Sequence, residues 1–191
     1  MDRQEAIRLF VAVEMSAAIR SSLTELRFHF PDLKWTPPDN LHLTLRFIGS
    51  VSEASAATVQ QALHGIRHGA FRLTVGGLGL FCRKTGGVVW AGVHEEPALR
   101  KLKRQVDEAL YCSAGLSLPG ESFSPHVTLT RLKKAPPPAL KTPVREKSGE
   151  SFGEMPVTSF TLFRSYLHRS GAIHEPVERY ALVPENPRLG E

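Results

Sequence analysis

His42 and His126 each open the same four-residue pattern, His42-Leu43-Thr44-Leu45 and His126-Val127-Thr128-Leu129. In a β-strand residues i and i+2 share a face, so each copy sets an imidazole beside a threonine hydroxyl and turns the leucines and Val127 toward a core. The pattern calls for two half-buried strands, each polar on one side. Facing each other across a cleft, they would present two histidines for proton transfer and two hydroxyls to hold an anion. That is equipment for attacking a phosphodiester.

The chain around the motifs repeats a plan. Leu9 to Val13 reads as a strand, followed by Ser16 as a helix cap and an amphipathic helix from Ala17 to Phe28. Trp35 to Asn40, with Pro37-Pro38, is a turn into the first motif strand, Leu41 to Ile48, which Gly49 is expected to end. A helix over Glu53 to His64 and a strand over Phe71 to Val75 close this half, and Gly76-Gly77-Leu78-Gly79 leads out. Gly86-Gly87 is read as a hairpin turn before a strand over Val88 to Val93. A helix from Pro97 to Tyr111 follows, then Phe123-Ser124-Pro125 leads into the second motif. When Phe10 to Val13 is laid over Trp90 to Val93, the motif histidines fall 32 and 36 residues after Phe10 and Trp90. This near-register duplication predicts one domain over residues 1–191 made of two similar lobes. Pro136-Pro137-Pro138 with Lys133, Lys134 and Lys141 reads as a mobile basic loop. The tail is expected as a strand from Val157 to Leu167, a turn at Ser170-Gly171 and a last strand over Tyr180 to Val183. The order of elements predicts an α+β protein of mainly antiparallel sheet.

A hydrophobic fraction of 41% and a charged fraction of 23% are those of an ordinary soluble globular chain of 191 residues. No run approaches the ~18 apolar residues of a membrane span, and Met1 to Glu5 lacks a signal peptide's apolar stretch. A cytoplasmic protein with no membrane partner is expected. Cys82 and Cys112 sit in no metal-ligand spacing and read as reduced, mostly buried thiols. The net charge of +5 favours a polyanionic partner modestly. His64 and His68 stand i, i+4, but no glutamate lies between them and Gly65 weakens the helix, so no metal site is expected. Arg100, Lys101, Lys103 and Arg104 read as a solvated helix face, and Phe47, Phe81, Phe123 and Trp90 mostly as core, with the alternative that an aromatic at the cleft rim stacks on a terminal base.

Imidazole exchanges protons near neutrality, with an ordinary pKa of about 6.5. Of a pair, one can deprotonate an attacking water while the other protonates the departing oxygen, with no metal and no cofactor. A bell-shaped kcat/KM profile with both limbs within about two units of pH 6.5 is expected. Thr44 and Thr128 are candidates for holding the anion. Arg46 has the parity of His42 and is a candidate substrate-binding residue, with Thr130 as its counterpart in the second copy. Arg131, also a candidate, has the opposite parity and enters the site only through a bulge or a frayed strand end. The residues alone do not assign acid and base between the two histidines.

His42-Leu43-Thr44-Leu45-Arg46-Phe47-Ile48-Gly49 and Pro125-His126-Val127-Thr128-Leu129-Thr130-Arg131 resemble the two signatures of the two-histidine phosphoesterases. The specific likeness is to the LigT-like RNA 2′,3′-cyclic phosphodiesterases once called 2′-5′ RNA ligases. It extends to Arg8 to Val13, to Asn40-Leu41 before the first motif, and to Val88 to Val93. The resemblance implies a bilobal α+β fold, its two lobes related by an approximate twofold, with outer helices and a central cleft. It implies metal-independent opening of RNA 2′,3′-cyclic phosphate ends to 2′-phosphomonoesters, with His42 as proton donor to the leaving 3′ oxygen and His126 as the base that activates water. The partners expected are RNA ends, tRNA fragments among them, or cyclic nucleotides, acted on by a monomer. The alternatives are 2′-5′ ligation, another cyclic-nucleotide phosphodiesterase activity, or a non-catalytic module that holds RNA ends. One departure stands out: many members carry tyrosine where this chain has His174.

Overall fold

The computed structural model describes residues 6–30, 33–83, 85–94, 96–118, 120, 123–168 and 171–184. In chain order the elements are β1 (Ile7–Glu14), α1 (Ala17–Glu25), β2 (His42–Val51), α2 (Glu53–His64), β3 (Phe71–Arg83), β4 (Gly86–Val93) and α3 (Pro97–Ala114). There follow β5 (His126–Leu132), α4 (Pro138–Glu146), β6 (Ser151–Val157), β7 (Ser159–His168) and β8 (Gly171–Ala181). The helix boundaries follow local chemistry. Ser16 and Ser52 cap α1 and α2 by accepting from Ile19 N and Ser55 N. Pro97 opens α3, and Gly115, with φ +64°, closes it in the left-handed conformation.

The strands form one antiparallel sheet in the order β6-β3-β4-β5-β2-β1-β7-β8. The two motif strands are neighbours at its centre, and β1 and β4, the strands that the sequence duplication aligns, flank them on either side. The α+β architecture expected from the element order is the one observed. Leu9, Val11, Val13, Leu43, Leu45, Val89, Ala91, Val127 and Leu129 share one core with Ile19 and Leu23 of α1, Val59 and Leu63 of α2, Leu99 and Leu102 of α3, and Leu140 and Val144 of α4. All four α-helices among the described residues therefore cover one face. On the other face the buried apolar residues among those described form a small cluster of Phe10, Ala12 and Phe163, and it is there that the motif histidines lie.

Several expectations are corrected. Gly49 does not end β2: it takes φ +87° at a bulge opposite Leu9 and Phe10, and pairing continues to Val51. The glycines after Val75 do not lead out of the sheet either. Pairing resumes at Leu78 after a bulge with Gly77 at φ +75°, so β3 is a single long strand. The hairpin exists, but Gly86 and Gly87 are paired with Arg83 and Cys82, placing the turn before them. Pro138 starts α4 instead of extending a loop, because proline suits the first helical turn and Leu140 and Val144 reach the core. The strand expected from Val157 is divided between β6 and β7, and β8 begins well before Tyr180. Ser170 of the expected turn lies outside the described residues. Both cysteines are exposed. No helix among the described residues is long and apolar enough to cross a membrane.

Candidate active site

Leu43 and Val127 are the registered pair that joins β2 to β5, and both are fully buried toward the helices. Alternation then turns His42, Thr44, His126 and Thr128 to the open face. Counted outward from that pair in antiparallel sense, His42 falls on the side of Thr128 and His126 on the side of Thr44. Both motifs thus contribute to one constellation.

The two imidazoles are oriented by the same device. His42 Nδ1 lies 2.7 Å from the carbonyl oxygen of Asn40, and His126 Nδ1 lies 2.8 Å from that of Ser124. A carbonyl only accepts, so each Nδ1 carries its proton and donates it, leaving Nε2 as the atom that takes or gives a proton to a ligand. Aromatic rings seat both. His42 packs on Phe10, with centroids 4.9 Å apart, and Phe10 stacks on Phe163 at 5.1 Å. His126 meets Phe81 edge-on at 5.3 Å and Trp90 at 6.2 Å. Trp90 in turn lies over Gly79, where an added Cβ would come within 2.0 Å of the indole, so only glycine leaves room for this seat.

Burial pushes the proton affinity of His42 down to about 4, and the charges of His174, Arg131 and His126 act in the same direction. The bond to Asn40 opposes them. In the free protein at neutral pH His42 is uncharged. The expected lower limb within about two units of pH 6.5 therefore moves to about 4 for this group.

Two bulges decide which of the remaining candidates reach the site. On β2, Ala12 is opposite Thr44 but Val11 is opposite Arg46, so Leu45 is the extra residue and Arg46 turns to the helix side. Its guanidinium donates to the carbonyl of Ser117 and pairs with Asp107 of α3, which also binds Lys103. Arg46 is only 13% exposed there. The parity argument that set Arg46 beside His42 fails on this bulge, and Arg46 fastens α3 and its following loop to the sheet. On β5 the same irregularity falls at Leu129, since Trp90 is opposite Thr128 and Val89 opposite Thr130. Thr130 is buried and donates to the carbonyl of Lys34 at 2.7 Å. Arg131, opposite Val88, is returned to the histidine face, where its charge is felt by both His42 and His174. Entry through a bulge is the route the sequence left open to it.

Phe47 is the β2 counterpart of Arg131. It stands opposite Phe10, ring to ring at 6.1 Å, and is 63% exposed, although its sequence context suggested core. His174 of β8 is the other residue that sequence reasoning did not place. Its ring edge meets Phe10 at 4.8 Å and His42 at 5.4 Å. Only its departure from the family pattern signalled it.

Among the described residues no group of three or more His, Cys, Asp or Glu side chains is placed to hold a metal ion. His64 and His68 have separate partners, Glu178 at 2.9 Å and Gln105 at 2.8 Å.

A family model described as the 2′-5′ RNA ligase superfamily matches residues 15–169. An RNA 2′,3′-cyclic phosphodiesterase of Archaeoglobus fulgidus is 35% identical over 173 residues, covering 88% of this chain and 97% of its own. One of Aeropyrum pernix is 40% identical over 146 residues, covering 75% and 82%. The crystal structure of Escherichia coli LigT in apo form matches with a TM-score of 0.77 at 30% identity, over 94% of this chain and 99% of that one. With the family model spanning most of its length and these relatives aligned over most of theirs, the chain belongs to the 2′-5′ RNA ligase superfamily.

Proposed function

We propose that the protein hydrolyses RNA 2′,3′-cyclic phosphate ends to 2′-phosphomonoesters without a metal ion, His42 and His126 transferring the protons. The observation that carries this reading is the pair of imidazoles on one sheet face, each with Nδ1 tied to its own backbone and Nε2 left for the reaction. The curated relatives bear the name of this activity. His126 takes a proton from water as it attacks phosphorus, the bond to the 3′ oxygen breaks, and His42 delivers a proton to that oxygen. Thr44, Thr128 and Arg131 stabilise the charge that builds on the non-bridging oxygens. A depressed proton affinity makes protonated His42 a stronger acid though a rarer one. The negative charge of the bound diester offsets Arg131 and brings the proton within reach.

The same reading takes the natural substrates to be RNA ends such as tRNA fragments, met by a monomer in the cytoplasm. The test is an oligonucleotide ending in a 2′,3′-cyclic phosphate, incubated with the protein in EDTA and followed by phosphorus NMR. A 2′-phosphate product is expected. Loss of turnover in EDTA with recovery on adding zinc or manganese, or a 3′-phosphate product, overturns the mechanism.

A further inference from the structure

His174 differs from the two motif histidines in one chemical respect. Its Nδ1 is buried and finds no hydrogen-bond partner among the described residues. No carbonyl is there to hold a proton on Nδ1, as those of Asn40 and Ser124 do for His42 and His126, so the neutral ring keeps the intrinsically favoured tautomer with its proton on Nε2. Burial and the Arg131 cation both hold its proton affinity below the usual imidazole value, which favours that uncharged form. His42 and His126 thus offer Nε2 as acceptors when neutral, whereas His174, at 5.4 Å from His42, offers a donor. Its place is fixed through the residue that orients His42. The backbone carbonyl of Asn40 holds His42 Nδ1, and the Asn40 side-chain amide donates to the carbonyl of Ala172 at 3.0 Å, two residues before His174.

We propose that His174 is a substrate-binding residue, donating a hydrogen bond from Nε2 to an oxygen of the phosphodiester held beside His42. The proposal rests on the phosphodiesterase reading above. It adds a neutral donor to the charged one of Arg131, on the leaving-group side of the site.

Three proteins are compared on the cyclic-phosphate oligonucleotide, after circular dichroism has shown that they share one fold: wild type, His174→Phe and His174→Gln. Phenylalanine keeps the ring edges on Phe10 and His42 but has no N–H. Glutamine supplies an amide donor near the position of Nε2. The expected result is a loss in kcat/KM of about 10- to 100-fold for His174→Phe, the cost of one hydrogen bond to a charged acceptor, with at least half of the loss on a logarithmic scale restored by His174→Gln. Inorganic phosphate, titrated by NMR, is expected to bind His174→Phe more weakly than wild type. A His174→Phe enzyme within threefold of wild type overturns the proposal, as do equal losses in both variants, since ring shape and not the donor would then matter. Absence of turnover by wild type overturns the phosphodiesterase reading itself, a separate outcome.

Discussion

Replacing His42 by asparagine removes a titrating group while leaving an amide N–H to meet the carbonyl of Asn40. In the folded protein His42 takes up a proton only at about 4, against the ordinary imidazole value of 6.5. Between those values the unfolded chain binds a proton that the folded protein refuses. The contribution of His42 to stability is therefore fully present above pH 6.5, declines as pH falls, and is spent once pH passes below 4. At about 1.4 kcal/mol per pH unit the whole loss is about 3 kcal/mol. Urea denaturation at half-unit steps from pH 7.5 to 3.5, on wild type and His42→Asn, isolates it, because the carboxylates titrating in the same range are common to both and cancel in the difference. Wild type is expected to lose about 3 kcal/mol relative to the variant across the window, with no relative change above pH 7. Difference curves flat to within about 1 kcal/mol would mean that His42 titrates in the fold as it does in the chain, and the argument from burial would be refuted.

Either His42→Ala or His126→Ala is expected to lower kcat/KM by at least about 100-fold with folding intact, and Thr44→Ala or Thr128→Ala by less, since each threonine shares its charge with another donor; near-normal turnover in a folded histidine variant would remove the acid and base assignment. Arg131→Gln is expected to cut kcat/KM by about 10- to 100-fold at unchanged Tm, while Arg46→Gln lowers stability by about 1 to 3 kcal/mol and spares the chemistry more; assays paired with thermal melts would show the reverse if the bulges were misassigned. In the pH profile of kcat/KM, which reports the free protein, the limb of His42 is expected at about 4, and in kcat it moves upward because the bound anion offsets Arg131; coincident limbs would contradict the electrostatic argument.

The motif histidines and threonines are legible in the sequence because period-two alternation from Leu43 and Val127 is obeyed over the first three residues of each strand. α2 lies where the helical pattern over Glu53 to His64 put it, and the structure shows Ser52 and Gly65 capping it there. Legibility stops at Leu45 and Leu129. An extra residue there is apolar, as its neighbours on the core side require, and nothing in its identity distinguishes a bulge from regular strand. The error that follows is systematic: Arg46 is promoted to the site, Phe47 is sent to the core, and Arg131 is left dependent on an irregularity. His174 is illegible for another reason. It lies on β8, which reaches His42 only through β7 and β1, a neighbourhood set by strand order and by no local pattern. Pro138 and the glycines after Val75 mislead because their intrinsic tendency to break structure is overridden by the burial of Leu140 and Val144 and by pairing along β3.

Each hydrogen bond that orients a motif histidine runs to a carbonyl two residues earlier in its own segment, while among the described residues Leu43 and Val127 form the one registered pair across the seam between β2 and β5. Orientation is thus a local property of each half, whereas separation is set by the seam together with the Arg46 and Thr130 contacts that also join the halves. If the seam drifts by a fraction of an ångström, the bonds that fix both tautomers survive while the distance between the two imidazoles changes. In a site built this way the gap is the coordinate that the seam governs most directly. Substitutions at Leu43 or Val127 should retune the gap that a substrate must span while leaving each imidazole aimed as before.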